Sequence, residues 1–157
     1  MFSNDIVCDI LNYIEININT KISIKDLTKI LNYNRSYLMK LLKKEMKISI
    51  IDYINNLRIY NCLKDLKTNN NLLNIAINNG FYSLEYFSET FKKILGINPS
   101  TYRKIINYDR NINDKDMSIY LTRITNLKLL IDYCHKYKSN IKPIKHQVKS
   151  LSIFNQK

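Results

Sequence analysis

The stretch Asn74–Arg103, NIAINNGFYSLEYFSETFKKILGINPSTYR, decides the fold of this chain. It holds two helix stops, two helix starts and a helix with lysines in its last turn, all within about thirty residues. Ile75, Ala76 and Asn79 lead into Gly80 and Phe81 as a short helix that closes at the glycine, the residue best suited to a left-handed cap. Ser83 caps a second helix, on which Leu84, Phe87, Phe91 and Leu95 return at helical spacing and mark a face to be buried. Gly96 stops it. Asn98 followed by Pro99 starts a third helix, because a proline at the first helical position gives up an N–H that has no intrahelical partner. A short helix, a tight turn and a second helix with an outward basic end form a helix-turn-helix.

Upstream, Ile6, Ile10, Leu11, Ile14 and Ile18 place an amphipathic helix over residues 5–18. Ser23 with Asp26 is a capping box that uses Asp for Glu, and it opens a short helix through Leu27, Ile30 and Leu31. Asn32, Tyr33 and Asn34 interrupt the pattern, and a third helix follows with Leu38, Leu41 and Leu42 inward. Ser49 with Asp52 opens a longer helix through Tyr53, Ile54, Leu57, Cys62, Leu63 and Leu66. At roughly eighteen residues it spans about 27 Å. That is near the about 34 Å between successive major-groove faces on one side of DNA.

The chain repeats itself. Leu27 and Tyr33 match Ile75 and Phe81, whereas Tyr37, Leu38, Leu42, Lys43 and Lys44 match Tyr86, Phe87, Phe91, Lys92 and Lys93 one step further on. The second turn therefore holds one extra residue. The same helix-turn-helix is expected twice, joined by the long helix. The fold class is all-α: about seven helices in two helix-turn-helix subdomains, followed by a partly helical tail. Two glycines and two prolines in 157 residues agree with that class and disfavour a turn-rich β fold.

The net charge of +12 points to an anionic partner. A chain crowded with Asn, Ile, Lys and Tyr also reflects AT-rich codons, so the placement of the cations carries more meaning than their number. Cys8, Cys62 and Cys134 stand far apart, which supports neither a zinc site nor a disulfide framework. His135 and His146 lie outside any constellation suited to metal binding or catalysis. No cofactor, metal or catalytic site is expected. With no signal peptide or membrane-length apolar run, a cytoplasmic protein with no membrane partner is expected.

The residues Ile75-Ala76, Gly80-Phe81, Tyr86-Phe87-Ser88, Phe91-Lys92-Lys93, Gly96, Pro99-Ser100 and Tyr102-Arg103 resemble the DNA-binding domain of AraC/XylS-type bacterial transcription regulators. Tyr53-Ile54-Asn55 and Arg58-Ile59 resemble that family's linker helix, and the likeness covers about Ile6 to Arg103. It implies a bacterial, DNA-binding, helix-turn-helix regulator of transcription located at the nucleoid. Few residues precede the first helix, so the chain is most like the small stand-alone activators of stress and antibiotic-resistance responses. These bind double-stranded DNA as monomers and contact RNA polymerase. Domains fused to DNA-alkyl repair modules also occur in the family, but those need clustered cysteines, so no enzyme is expected.

Residues 1–108 are expected to form the DNA-binding domain. The first helix-turn-helix takes about 22–47, the linker helix about 49–67, the second helix-turn-helix about 72–96 and a closing helix 99–108. On the first recognition helix Arg35, Ser36, Met39 and Lys40 are placed to contact bases: Lys40 to donate to guanine O6 and N7, Met39 to touch a thymine methyl. Lys43 and Lys44 are placed on phosphates. On the second, Glu85, Ser88 and Glu89 face the bases, with Ser83, Lys92 and Lys93 on phosphates. Glu89 stands where the first repeat has Lys40, and Glu85 where it has Ser36. Acids are repelled by phosphates, so the first unit should carry more of the affinity. The alternative is an architectural binder that holds phosphates without reading sequence. Lys47 stands where the second repeat has Gly96, and a positive φ there would cost about 1 kcal/mol. Residues 109–157 form a basic extension: residues 104–157 carry 11 basic and 4 acidic residues, against 14 and 9 in 1–103. Met117, Tyr120, Leu121, Ile124, Leu127, Leu130 and Ile131 give this extension an amphipathic helix that packs on the domain, with a break at Pro143 and mobile final residues.

Overall fold

A computed structural model describes residues 3–107 and 114–140. Among the described residues there are eight α-helices and no strand. They are α1 (Ser3–Ile16), α2 (Ile24–Leu31), α3 (Arg35–Met46), α4 (Ile50–Asp65), α5 (Leu72–Asn78), α6 (Leu84–Leu95), α7 (Pro99–Ile106) and α8 (Asp114–Ser139). None is long and apolar enough to cross a membrane. Pro143, His146 and the final residues lie outside the described residues. The helices form two compact units. One comprises the described residues up to Ile54 with the end of α8 from Asp132; the other runs from Asn55 to Ile131.

In the first unit, α1 buries Ile6, Ile10, Leu11 and Ile14 where it meets α2 and α3, which bring Leu27, Leu31, Leu38 and Leu42. Each such side chain contributes roughly 1.5–3 kcal/mol of burial. The helix starts are chemical. Ser23 Oγ accepts from Asp26 N at 3.2 Å, and Asn34 Oδ1 accepts from Tyr37 N at 2.8 Å. At the start of α4, Ser49 Oγ accepts from Asp52 N at 3.1 Å and donates to Asp52 Oδ2 at 2.7 Å, so the Asp version of the capping box closes on the hydroxyl. The stops are two left-handed residues, Asn32 (φ 56°) and Lys47 (φ 59°). Asn tolerates that conformation well; Lys47 bears the strain that its match with Gly96 led us to expect.

The first helix begins earlier than its periodicity suggests and is buried almost all round, Val7, Cys8 and Asp9 included. The cause is α8. Its Tyr137 Oη donates to Asn4 Oδ1 at 3.1 Å, and Lys138 Nζ pairs with Glu15. The end of α8 therefore crosses α1 between those two anchors, over the stretch that holds Cys8 and Asp9. Glu15 also accepts from Tyr53 Oη at 3.2 Å and lies 3.9 Å from His135 Nε2, so that histidine has a carboxylate neighbour its sequence position did not suggest.

In the second unit, Phe81, Phe87, Phe91 and Tyr102 form an edge-to-face chain of rings with centroids 5.2–5.8 Å apart. Arg58 is buried over the Phe81 ring at 5.9 Å. Asn71 Oδ1 and Ser83 Oγ cap α5 and α6 by accepting from Asn74 N and Tyr86 N. Pro99 occupies the first turn of α7, and Asn98 makes no side-chain cap bond. Buried Asn79 ties α5 to α4, its Nδ2 donating to Asp65 Oδ2 at 2.7 Å and to Ile75 O at 2.9 Å. Arg103 closes the turn between those helices by donating to the carbonyls of Leu66, Thr68 and Asn70.

The first part of α8 packs on this unit. Tyr120 meets Tyr102 edge-on, and Arg123 Nη1 donates to Lys93 O at 3.3 Å. Ile119 lies so close to Gly96 (φ 76°) that a Cβ there would strike its Cγ2. Gly96 is thus required twice, by its backbone and by its neighbour. Ile124, Leu127 and Ile131 are buried as the pattern predicts, but Leu121 is 55% exposed. It sits on the outer side of α8, and apolar residue type alone does not reveal that side.

Candidate nucleic-acid interface

The second helix of each repeat carries two opposed faces. On α3, Leu38, Leu41, Leu42 and Met46 are buried, and Arg35, Ser36, Lys40, Lys43 and Lys44 are exposed. Residues three and four apart share a side of a helix, so Ser36, Lys40 and Lys43 or Lys44 form one outward stripe. Met39 is half-buried at its edge, and Arg35 Nε lies 3.5 Å from Met39 Sδ. Arg35 and Met39 therefore present a joined surface.

On α6, Phe87, Thr90, Phe91 and Leu95 are buried, and Glu85, Glu89, Lys92 and Lys93 are exposed. Ser88 is half-buried. So is Ser83, whose Oγ accepts from Tyr86 N in capping and keeps its hydroxyl proton for an outside group. Among the described residues the Glu89 carboxylate makes no ion pair with Lys92 or Lys93. The outward stripe of α6 is thus acidic over its first two turns and basic in its last. That of α3 carries lysines after Ser36 and no acid.

Tyrosines flank both recognition helices, and sequence reasoning did not single them out as surface groups. Tyr33 stacks on Tyr37, centroids 5.0 Å apart at 29°. Tyr82 stacks on Tyr86, 4.8 Å apart at 17°. Each pair consists of the residue before the helix cap and one in the first turn. Tyr82 is 77% exposed, and Asn55 Nδ2 fixes its partner by donating to Tyr86 Oη at 2.9 Å. Tyr33 therefore takes the role of Tyr82 rather than that of Phe81, which is buried. The extra residue of the second turn splits one tyrosine's place into a core ring and a surface ring. The signal was a second match, Tyr33 and Tyr37 to Tyr82 and Tyr86 at one constant offset.

The cysteines take no part. All three are buried, and burial pushes the Cys8 and Cys134 thiols up to about 11 and that of Cys62 higher still. Among the described residues no three His, Cys, Asp or Glu side chains converge on a metal-sized site.

Known proteins resemble this chain. A family model described as a helix-turn-helix domain matches residues 27–105. The HTH-type transcriptional activator AarP of Providencia stuartii is 33% identical over 103 residues, 65% of this chain and 76% of AarP. The transcriptional regulatory protein HptR of Staphylococcus aureus is 35% identical over 98 residues, 62% of this chain but only 39% of HptR. Among solved structures, the C-terminal domain of AraT, a response regulator from Geobacillus stearothermophilus, matches with a TM-score of 0.61 at 28% identity, over 69% of this chain and 88% of that domain. With its repeated helix-turn-helix and its exposed recognition helices, the chain belongs to the AraC-type helix-turn-helix family of DNA-binding transcription regulators.

Proposed function

We propose that this protein is a sequence-specific activator that reads promoter DNA in the major groove, with α3 as the stronger reader and α6 as the weaker. It acts as a monomer on DNA in the bacterial cytoplasm and contacts RNA polymerase. Residues 1–108 serve as the DNA-binding domain and 109–157 as a basic extension. Arg35, Ser36, Met39 and Lys40 contact bases from α3, and Glu85, Ser88 and Glu89 from α6. Lys43, Lys44, Ser83, Lys92 and Lys93 hold phosphates. The observation that carries the reading is the outward face of α3, with four exposed cations opposite a fully apolar buried face. A phosphate backbone attracts that face and repels Glu85 and Glu89. Glutamate still has a use, since it accepts from cytosine N4. The exposed Tyr82 supplies an apolar ring for thymine methyl groups at the head of α6.

Selection from a random DNA pool, followed by fluorescence anisotropy at fixed salt, tests this. Lys40→Ala should weaken binding to the selected site about tenfold, within the range of a good base contact. Glu89→Ala should weaken it less. A larger loss from Glu89→Ala overturns the order of the two readers. Equal competition by random DNA replaces the whole reading with an architectural one.

A further inference from the structure

Within the second unit, the C-terminal half of α4 with the turn after it, α7 and the first part of α8 line an open hollow of about 290 Å³. Its wall carries three ammonium groups, Lys64, Lys67 and Lys128, and three phenol rings, Tyr60, Tyr102 and Tyr120. Among the described residues no carboxylate lines it. Among the described residues none of the three lysines is in an ion pair, so like charges gather around one concavity uncompensated. Tyr102 and Tyr120 meet at 64° with centroids 5.7 Å apart and make an aromatic corner. Burial raises both phenols, Tyr102 to about 12, so they stay neutral.

We propose that this hollow binds a small ring-bearing phosphate monoester of mononucleotide size, its phosphate held by Lys64, Lys67 and Lys128 and its ring set against the tyrosine corner. Three cations without an acid suit a dianion, and ammonium groups bind phosphate as point charges. The volume lies at the low end for ligand sites, roughly 300–1,000 Å³, which suits a mononucleotide-sized ligand better than a dinucleotide. The site is built in part from α8, which starts beyond the matched residues 27–105. Its wall also adjoins the turn between α4 and α5 that Arg103 pins. An occupant bridges the extension to the segment leading into the second helix-turn-helix, which gives residues beyond 108 a role in sensing a metabolite.

Isothermal titration calorimetry on the full chain tests this with AMP and phenyl phosphate, using inorganic phosphate and adenosine as controls. Both ring phosphates should bind at least tenfold more tightly than either control. The double variant Lys64→Met, Lys128→Met should lose at least tenfold in AMP affinity; both positions are exposed, so it should fold, as circular dichroism will check. Tyr120→Leu should weaken AMP while leaving inorganic phosphate unchanged. The proposal is overturned if the ring phosphates bind no more tightly than inorganic phosphate, or if the double variant binds AMP like the parent. It is also overturned if duplex DNA displaces AMP and the double variant loses DNA affinity by the same factor, for the lysines would then be DNA contacts.

Discussion

Replacing Lys47 by glycine should make the protein more stable, even though it removes a charge from the surface. Lys47 holds φ 59° and ψ 16° while its N–H donates to Lys43 O, a left-handed cap on α3. That conformation costs a residue with a Cβ roughly 1–2 kcal/mol. Glycine avoids the clash but brings roughly 0.5–1 kcal/mol of extra unfolded-chain entropy. The ammonium near the carbonyl end of α3 is worth about 0.3 kcal/mol on an exposed surface, and both glycine and alanine lose it. Alanine keeps the strain as well, so Lys47→Gly should exceed Lys47→Ala by roughly 1 kcal/mol. At a urea slope of about 2 kcal/mol per molar, their unfolding midpoints should differ by about 0.5 M. If the alanine variant unfolds at the same or higher urea, Lys47 is not held at positive φ and its equivalence to Gly96 fails. The mirror change, Gly96→Ala, adds the strike on Ile119 to the φ strain and should cost about 2–4 kcal/mol.

Three further outcomes are expected. Asp9 is 2% exposed and its Oδ2 has no hydrogen-bond partner among the described residues; burial, with Asp5 adding to it, pushes the carboxyl up to about 6. Between about pH 4 and 6 the folded protein then binds more protons than the unfolded chain, so stability falls as pH rises through that window. The loss at pH 7 is on the order of 2–3 kcal/mol. Asp9→Asn should raise the melting temperature at pH 7 and flatten the slope from pH 4 to 6.5, and an unchanged slope in melts at stepped pH refutes the assignment. Tyr82→Ala, at an exposed ring, should leave stability within about 0.5 kcal/mol yet weaken binding to the selected DNA several-fold by anisotropy; parental affinity removes Tyr82 from the interface. Arg103→Met strips the donors from three carbonyls of the α4–α5 turn and should cost about 1–3 kcal/mol in urea unfolding. An unmoved midpoint would show that the turn holds without it.

Much of this fold is legible in one-dimensional signals because the helices start and stop on local chemistry. Ser23, Ser83 and Gly96 each act within three or four residues of themselves, and so they can be read without tertiary knowledge. What stays hidden depends on partners far along the chain. Asp9 looks like the polar side of an amphipathic helix, yet it is buried, on a helix to which the end of α8, some 125 residues on, is anchored. Leu121 looks like a core residue because periodicity cannot say which stripe of a 26-residue helix meets the body. At the interface, helical geometry fixes which side chains of α3 face out. Whether a tyrosine at a helix head is core or surface depends on one extra residue in a turn.

The two repeats differ in a way that packing does not require. Their buried positions correspond, Leu38 with Phe87 and Leu42 with Phe91, and both helices begin on a polar cap and end on a left-handed residue. One outward position reverses sign, Lys40 to Glu89, and Ser36 gives way to Glu85, while Lys43 and Lys44 correspond to Lys92 and Lys93. An exposed residue on a helix is nearly neutral for folding, so neither charge is imposed by the core. A duplicated fold that keeps its core and inverts one outward charge presents two surfaces of unequal attraction for one polyanion. On the proposed reading, phosphate attraction is then concentrated on α3, and the discriminating contacts of α6 come from carboxylate acceptors and the Tyr82 ring. The second helix-turn-helix departs further in being backed by α8, whose Ile119 fills the space a side chain at position 96 would need. The repeat that identifies the family is thus also the one rebuilt around residues outside the family match.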